Sequence, residues 1–204
     1  MNKKIEITKK YYDKNAQRWC DSKPNSFVHE VQFREFIKHF KKGNKILDIG
    51  CAYGIHVPLF LGIGRELKYE GTDISRHMLK IAKSRYPQLP FLYGDVSDKK
   101  LLRNKKYDGF WAVAVLMHIP EEKREDMFSN LEKLTKRGGV GYITVPNERP
   151  HPASKKDQRH FSLYNKSDFK NLILKRNWKV LRSGVLDGSS KKGIWNWFII
   201  QLPE

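Results

Sequence analysis

The hydrophobic positions of this chain change their spacing from segment to segment, and the spacing predicts where helices and strands lie. Residues 26–42 carry an apolar residue at every third or fourth position, which is typical of a packed helix, and residues 5–20 predict a more polar one. Downstream, short apolar runs alternate with helical segments, one of which begins at the capping residue Ser75. Gly138 and Gly139 are expected to end the last of these helices. The predicted strands are 45–49, 67–72, 91–93, 107–115 and 140–145, and the helices between them end near residue 64, cover about 75–85 and cover about 120–136.

The order of these elements predicts the fold class. Strands that alternate with helices imply right-handed crossovers and an open parallel sheet, and the apolar run 107–115 is typical of a central strand covered on both faces. The last third differs, because a proline-containing loop at 146–165 and a helix capped by Ser167 precede two β runs at 178–185 and 194–202. We therefore predict a doubly wound, Rossmann-like α/β fold with a seven-stranded, mostly parallel sheet and an antiparallel C-terminal end.

Length and composition favour a single domain over residues 1–204. A chain of 204 residues can bury a substantial core without disulfide bonds. Its two cysteines, Cys20 and Cys51, have no spacing that fits a disulfide framework or a zinc site, so no metal is predicted. The first residues lack the apolar core of a signal peptide, and no apolar stretch approaches the roughly 20 residues that span a bilayer. The expectation is a cytoplasmic protein without membrane association, and the oligomeric state is left open.

The chain is strongly basic. Forty Lys and Arg residues against 22 Asp and Glu give a formal net charge of +18. A field of this sign attracts nucleic acid, phosphorylated metabolites or other anions, and the basic segment 155–160, with Lys155, Lys156 and Arg159, is placed where it could meet an anionic substrate. The alternative interpretation is a solvated lysine-rich surface, since the basic residues occur largely as scattered pairs.

Acidic residues follow three successive predicted strands. Asp48 precedes a small-residue turn that contains Gly50 and Gly54, Asp73 ends the second strand, and Asp95 follows the third. A dinucleotide site prefers glycines without an acid, because a carboxylate repels pyrophosphate, whereas an acid suits a ligand with a cationic amino group. Asp73 lies close to the offset expected of a carboxylate that binds ribose hydroxyls, and Asp95 is placed to accept a hydrogen bond from an adenine amine. The three carboxylates are expected at one edge of the sheet, where open α/β folds bind ligands.

Read in order, these segments resemble the motifs of class I S-adenosylmethionine-dependent methyltransferases. The resemblance covers about residues 40–145 and rests on ILDIGCAYG at 46–54, GTDIS at 71–75, GDV at 94–96, YD at 107–108 with LMHIP at 116–120, and GGV at 138–140. One departure is Ala52, where the family often carries a glycine. If the backbone needs a positive φ at this position, an alanine is strained there.

The resemblance implies S-adenosylmethionine as the cofactor and assigns residues to its parts. The turn from Asp48 through Gly50 to Gly54 is implied to hold the methionine part, which would lie beside Ala112. Asp73 is implied to bind the ribose. The adenine ring is implied to lie against three further residues, Ile74, Asp95 and Val96.

The resemblance also divides the single domain into three parts. Residues 1–42 form N-terminal helices, and in similar methyltransferases this segment folds over the cofactor as a lid, which brings Tyr12 toward the site. Residues 43–145 form the cofactor-binding core. Residues 146–204 supply the loop on the substrate side and the last strands.

His118 is the candidate catalytic residue. Methyl transfer from a sulfonium depends mainly on aligning the nucleophile, the carbon and the leaving sulfur, so a base matters only for a protonated nucleophile. His118 follows the fourth strand, and an unperturbed histidine titrates in the useful range, although a packing or capping role is the favoured alternative. His160 is a second candidate base. Trp195 and Trp197 alternate in a predicted strand and are expected in the core.

These observations predict a methyltransferase that uses S-adenosylmethionine and acts on a small-molecule acceptor, with anions among the candidates. Two alternatives stay open. The first is an RNA or tRNA methyltransferase, which the net charge of +18 favours. The second is a non-catalytic partner protein that binds S-adenosylmethionine.

Overall fold

The structure is a computed structural model that describes residues 2–23, 28–64, 66–102, 104–148, 157–187 and 193–204. Helices and strands alternate through most of these ranges. In chain order they are α1 (Lys3–Ser22), α2 (Glu30–Ile37), β1 (Lys45–Ile49), α3 (Val57–Gly62), β2 (Lys68–Asp73), α4 (Arg76–Arg85), β3 (Phe91–Tyr93), β4 (Tyr107–Ala112), α5 (Arg124–Leu134), β5 (Thr135–Pro146), α6 (Lys166–Leu174), β6 (Lys179–Asp187) and β7 (Ile194–Gln201).

The strands form one sheet in the order β3-β2-β1-β4-β5-β7-β6. The pairs from β3 to β5 are parallel, and β7 pairs antiparallel with both β5 and β6. This arrangement confirms the predicted Rossmann-like, mostly parallel sheet with an antiparallel end. The strand order reverses on either side of β1, so the carboxyl ends of β1 and β4 border the crevice in which such sheets bind ligands.

Apolar side chains fill both faces of the sheet. On one face, Phe33 of α2 and Phe60 of α3 pack around Trp111 of β4, whose ring stacks on Tyr142 with 4.0 Å between centroids. On the other face, α5 and α6 pack against β4, β5 and β7 through residues such as Phe128. Helix α1 packs against α4. The sheet is therefore covered on both sides, and its carboxyl edge is left for a site.

Strand β4 is shorter than predicted, since it ends at Ala112 and not at residue 115. Ala114 has a left-handed φ of 55°, and its N–H donates to Thr144 Oγ1 at 2.9 Å. The chain therefore turns out of the sheet and enters a short 3-10 helix at Leu116–His118. This turn places His118 at the edge of the sheet.

The helix predicted over 120–136 also differs from the structure. A 3-10 turn at Glu121–Lys123 precedes α5, which ends at Leu134 and not at the two glycines. Thr135 already pairs with Tyr107, and its hydroxyl donates to the carbonyl of Leu131 at 2.7 Å, so the chain passes from helix to strand without a loop. Residues 138 and 139 consequently lie inside β5.

Capping explains two other boundaries. Ser75 caps α4 as predicted, since the N–H of Met78 donates to its hydroxyl at 3.2 Å. Helix α6, however, is capped by Asn165 and not by Ser167, because the Asn165 side chain accepts the N–H of Asp168 at 2.8 Å. Helix α2 spans only part of the predicted 26–42, of which 26 and 27 lie outside the described residues, as do 188–190 between the last two strands.

The described ranges contain neither a membrane-spanning helix nor a cluster of metal ligands. No helix in them combines the length and hydrophobicity needed to cross a membrane. No group of His, Cys, Asp and Glu side chains in these ranges is arranged to hold a metal ion.

Candidate active site

A cavity of about 380 Å³ lies at the carboxyl edge of the sheet. Its walls come from the ends of β1 to β5, from helix α1, from the start of α2 and from the β6 and β7 ends on the same edge. The predicted site residues that line it are Tyr12, Gly50, Asp73, Ile74, Asp95, Val96 and His118. Folding thus brings together residues from every third of the cofactor-binding core and from the N-terminal helix.

The turn after β1 exposes bare backbone to the cavity. Gly50, Ala52 and Gly54 all have left-handed φ angles, of 70°, 50° and 78°. The N–H of Gly50 donates to the carbonyl of Thr72 at 2.8 Å, which anchors the turn to β2. Ala52 therefore does carry the positive φ that strains an alanine. A side chain at position 50 has no room, because its Cβ would meet the side chain of Val115.

Gly50→Ala is expected to lower the free energy of unfolding by about 2–4 kcal/mol, the sum of left-handed strain and overpacking. A Cβ at this position would lie 2.6 and 2.7 Å from side-chain carbons of Val115. The matched control is Gly43→Ala, because Gly43 has a φ of +82° but open space around the added carbon. Urea denaturation of both variants measures the difference. Equal losses would contradict the steric role assigned to Gly50.

Asp73 connects this turn to the end of β2. Its Oδ2 accepts the N–H of Ala52 at 2.9 Å, and its Oδ1 accepts the N–H of Ser75 at 2.7 Å. Burial raises the pKa of Asp73 to about 6, and the two N–H donors oppose that rise. The carboxylate keeps free acceptor capacity at the cavity wall, which suits the hydroxyl groups of a ribose.

Asp95 and Val96 follow β3 and line the cavity, with Ile74 on the neighbouring strand end. One Asp95 oxygen accepts the N–H of Ser97 at 2.8 Å and its hydroxyl at 2.7 Å. The Val96 carbonyl accepts a hydrogen bond from Asn130 Nδ2 at 2.8 Å. These bonds hold Asp95 and Val96 in fixed positions beside Ile74, and a carboxylate next to two apolar side chains suits a flat ring with a polar edge.

A directed chain of hydrogen bonds joins helix α1 to the cavity wall. His118 Nδ1 lies 2.7 Å from the carbonyl oxygen of His160, and a carbonyl only accepts, so this nitrogen carries the proton. In the neutral ring, Nε2 accepts from the Tyr12 hydroxyl at 2.9 Å, and the Tyr12 oxygen accepts from Arg159 at 2.8 Å. Arg159 also makes a bidentate pair with Asp157. These linked hydrogen bonds hold helix α1 in place over the cavity.

Burial lowers the pKa of His118 to about 4, so the ring is neutral at pH 7. Both of its nitrogens are already engaged by other groups. The geometry therefore favours a positioning role for this histidine over the role of a general base.

Comparisons with known proteins agree with this geometry. A family model described as a methyltransferase domain matches residues 46–139. The fold also matches magnesium protoporphyrin IX methyltransferase from Synechocystis, solved with bound S-adenosylhomocysteine, with a TM-score of 0.74, 17% identity and coverage of 98% of this chain and 99% of that one. Residues 46–139 therefore form a methyltransferase domain, and the chain has the fold of a methyltransferase that binds S-adenosylhomocysteine.

The curated relatives of this methyltransferase differ in what they act on. Trans-aconitate 2-methyltransferase from Variovorax paradoxus is 30% identical over 108 residues, which are 53% of this chain and 40% of the relative. A tRNA (carboxymethyluridine(34)-5-O)-methyltransferase from Macaca fascicularis is 26% identical over 141 residues, 69% of this chain and 20% of the relative. The chain therefore spans less than half the length of either relative.

Asp48 is placed differently from the expectation for this methyltransferase. Its side chain does not line the cavity but lies buried beneath α3, where Oδ2 accepts the hydroxyl of Tyr69 at 3.0 Å and lies 3.9 Å from His56 Nδ1. Burial raises the pKa of Asp48 to about 8, so the group is mostly uncharged at pH 7. Side chains alternate between the two faces of a sheet along a strand, and the Asp48 side chain points to the face covered by α3 and not to the cavity. A contact with a cationic amino group is not supported by this placement.

Three other predicted residues are also outside the cavity wall. Ala112 is fully buried in the core, and the wall is formed by the next three residues, 113–115, where the chain turns. Gly54 does not line the cavity but shapes the turn through its φ of 78°. His160 likewise lies outside the lining, and its Nε2 is 2.9 Å from Ser162 Oγ.

The cavity wall of this methyltransferase also contains residues that the sequence did not indicate. His29 and His56 line it, although they lie outside every recognised motif. Trp195, expected in the core, also lines the cavity, whereas Trp197 is half-buried and packs on the core. No local sequence pattern indicates these residues, because only the order of the strands and the packing of α2 bring them to this edge.

Proposed function

We propose that this chain transfers the methyl group of S-adenosylmethionine to a small-molecule acceptor. The observation that carries the proposal is one continuous cavity that reaches from Asp73 and Asp95 to Tyr12, His118 and the strand ends beyond them. A volume of about 380 Å³ at the carboxyl ends of the strands is in the range of small-molecule sites. When bound, the cofactor supplies a methyl group activated by a sulfonium.

The residues present fit this cofactor. Thr72 lines the cavity, and its buried hydroxyl has no hydrogen-bond partner, which leaves a polar atom for a ligand. The bare turn at Gly50 admits a ligand against the backbone, Asp73 would accept the ribose hydroxyls, and Asp95 with Ile74 would hold the adenine. Each role matches the chemistry of the side chain at its observed position.

The protein contributes mainly alignment to the reaction. Helix α1 covers the site and excludes water, and the hydrogen bond between Tyr12 and His118 holds it in place. Holding the nucleophile in line with the methyl carbon supplies most of what this displacement needs. A proton carried by the acceptor at neutral pH would pass to solvent when the product leaves, since both nitrogens of His118 are already engaged.

Calorimetry and a transfer assay test the proposal. Purified protein should bind S-adenosylmethionine and S-adenosylhomocysteine, and labelled methyl groups should pass to a component of a small-molecule extract. Preferential binding of a nicotinamide dinucleotide would overturn the assignment. Cofactor binding without transfer to any extract or RNA fraction would favour the non-catalytic partner protein instead.

Cofactor affinity is expected to fall at acidic pH because of Asp73. Ribose hydroxyls donate hydrogen bonds to the ionised carboxylate, and burial raises the pKa of Asp73 to about 6. The affinity for the cofactor should therefore reach its full value near about pH 7.5 and fall by up to about tenfold per pH unit below about pH 6. The cavity histidines do not interfere, since burial lowers the pKa of His29 and His118 to about 4. Calorimetric titrations of S-adenosylhomocysteine between about pH 5 and about pH 7.5, a range of ~2.5 units, measure the slope.

Asp73→Asn is the control for this pH dependence. It keeps the size of the side chain, but removes the charge and should weaken binding by about 1–3 kcal/mol at pH 7.5. Its affinity should not change across the pH range. A variant with the wild-type pH profile would show that another group is responsible.

A nucleic-acid acceptor is the second candidate, because the net charge is +18 and one relative is a tRNA methyltransferase. Arg159 does not supply a phosphate contact, since its guanidinium is buried against Asp157, while Lys155 and Lys156 lie outside the described residues. For single-stranded RNA, log K should fall with log[salt] by about 0.7 per phosphate contact. We expect shallow dependence. Steep dependence together with methylation of tRNA would select the alternative.

A further inference from the structure

The cavity extends well beyond the residues assigned to the cofactor. Asp73 ends β2 and Asp95 follows β3, on one side of β1 in the sheet. On the other side of β1, the lining continues along the ends of β4, β5, β6 and β7 and reaches the start of α2. We call this second half the acceptor end and define it by six lining residues, Val28, His29, Ile55, His56, Leu186 and Trp195.

The acceptor end is mostly apolar, and its polar atoms are largely engaged within the protein. Nδ1 of His29 lies 3.0 Å from the hydroxyl of Tyr142, and the ring packs edge-on against Trp111 and His56. Thr144, which lines the cavity nearby, accepts the N–H of Ala114 at 2.9 Å. The imidazoles therefore offer a few directed hydrogen bonds in surroundings made of aliphatic and ring carbons.

The described residues of the acceptor end carry no charge at neutral pH. Burial lowers the pKa of His29 to about 4 and that of His56 to about 3, so both rings are neutral. Among the charged lining residues that the structure describes, Asp73 and Asp95 belong to the cofactor half. The third, Lys23, lies at the end of α1 with its ammonium 4.5 Å from the centre of the Trp19 ring.

An ion would be poorly accommodated in such surroundings. Moving a charged group from water into an apolar site is costly unless an opposite charge or several hydrogen bonds compensate. Arg159, the described member of the basic loop, is already neutralised by Asp157 and does not line the cavity. The part of an acceptor that is buried against these described residues must therefore be uncharged.

We propose that the acceptor of this methyltransferase is an uncharged ring compound of mainly apolar surface, bound at the acceptor end with a hydrogen-bonding atom directed to His29. The proposal rests on the proposed function and narrows it to one class of small molecule. It replaces the anionic acceptor expected from the basic loop. Three ring side chains, from His29, His56 and Trp195, supply flat surfaces against which such a compound packs.

Two fluorescent probes that differ by a single charge test the proposal. N-phenyl-1-naphthylamine is uncharged, and 1-anilinonaphthalene-8-sulfonate is the same ring system with a sulfonate. Titrations would use full-length protein saturated with S-adenosylhomocysteine, in salt high enough to screen surface charge. The uncharged probe should bind with one-to-one stoichiometry and at least about tenfold more tightly than the sulfonate, which is a difference of about 1.4 kcal/mol.

Neighbouring positions on β6 provide a matched pair of variants. Leu186 lines the cavity, whereas Val185 is 50% exposed on the opposite face of the strand. Leu186→Lys should weaken the uncharged probe by at least about tenfold, because it places an ammonium in the acceptor end, while Val185→Lys adds the same charge outside and should leave binding unchanged. If Leu186→Lys does not fold, Trp195→Ala replaces it and should also weaken binding of the uncharged probe.

The outcomes separate this proposal from the function on which it rests. Sulfonate binding equal to or tighter than that of the uncharged probe, or equal weakening by both lysine variants, overturns the uncharged acceptor. Failure to bind S-adenosylhomocysteine in a separate calorimetric titration of the unliganded protein overturns the methyltransferase function instead. If S-adenosylhomocysteine added to unliganded protein with bound uncharged probe displaces that probe, the probe lies in the cofactor half, and this result also overturns the acceptor assignment.

Discussion

Trp111→Ala is expected to lower the free energy of unfolding by about 3–5 kcal/mol, the usual cost of removing a large buried aromatic side chain. Trp111 is fully buried at the centre of one face of the sheet. Its ring stacks on Tyr142 and meets Phe33 and Phe36 at centroid distances of 5.1 and 5.3 Å. Alanine would leave a cavity that rigid neighbours on β5 and α2 fill only in part. Urea denaturation monitored by circular dichroism measures the loss.

Trp111→Phe separates packing from hydrogen bonding at this position. The indole Nε1 is buried without a partner, so removing it costs no hydrogen bond. Phenylalanine keeps a ring against Tyr142, and the expected loss is below about 1.5 kcal/mol for this smaller change in volume. A loss as large as that of the alanine variant would mean that the indole nitrogen has a role that the packing does not show.

Arg159→Met is expected to destabilise the protein by about 3 kcal/mol, the lower end of the cost of breaking a buried ion pair. The Arg159 side chain is 4% exposed and pairs with Asp157, which is 13% exposed and gains some water when the arginine is lost. The substitution also removes the donor to Tyr12 and the guanidinium packed 4.3 Å from the Tyr11 ring centre. Unfolding in urea should therefore occur at lower denaturant concentration.

The double variant Arg159→Met with Asp157→Asn tests the reason for that loss. If the cost arises from an unpaired buried carboxylate, removing the carboxylate as well should restore at least about 1 kcal/mol. If the double variant is no more stable than Arg159→Met, the loss arises from packing on the tyrosines. Circular dichroism before denaturation provides the control that both variants are folded.

The order of the elements could be predicted because it depends on local patterns. Alternating strands and helices predicted the parallel sheet, and the apolar run from residue 107 marked β4 correctly as a central strand. The end of that strand could not be predicted, since valine and alanine continue to residue 115 while the turn at Ala114 depends on a hydrogen bond to Thr144. The prediction of the end of α5 was wrong for a similar reason, because the helix ends where Thr135 pairs with Tyr107 of β4.

The candidate site was predictable to the extent that it follows strand ends. Asp73 and Asp95 line the cavity because Asp73 is the last residue of β2 and Asp95 closely follows β3, which places both at the carboxyl edge of the sheet. Asp48 does not, since it lies one step earlier on its strand and faces the helices with Tyr69. The assignment of parts of the cofactor to these residues stays a prediction that the titrations above would test.

The sequence by itself determined the doubly wound fold, the glycine turn after β1 and the acidic residues at the strand ends, because each follows from short-range periodicity and backbone geometry. Only the tertiary structure decided what His118 contacts, since its two nitrogens are engaged by Tyr12 and by the carbonyl of His160, which are far away in the chain. It also decided the character of the acceptor end, where His29 and Trp195 line the same cavity because of the strand order of the sheet. Contacts between distant residues depend on the order of the strands in the sheet and on the face to which each side chain points. Neither can be predicted from the local spacing of residues in the sequence.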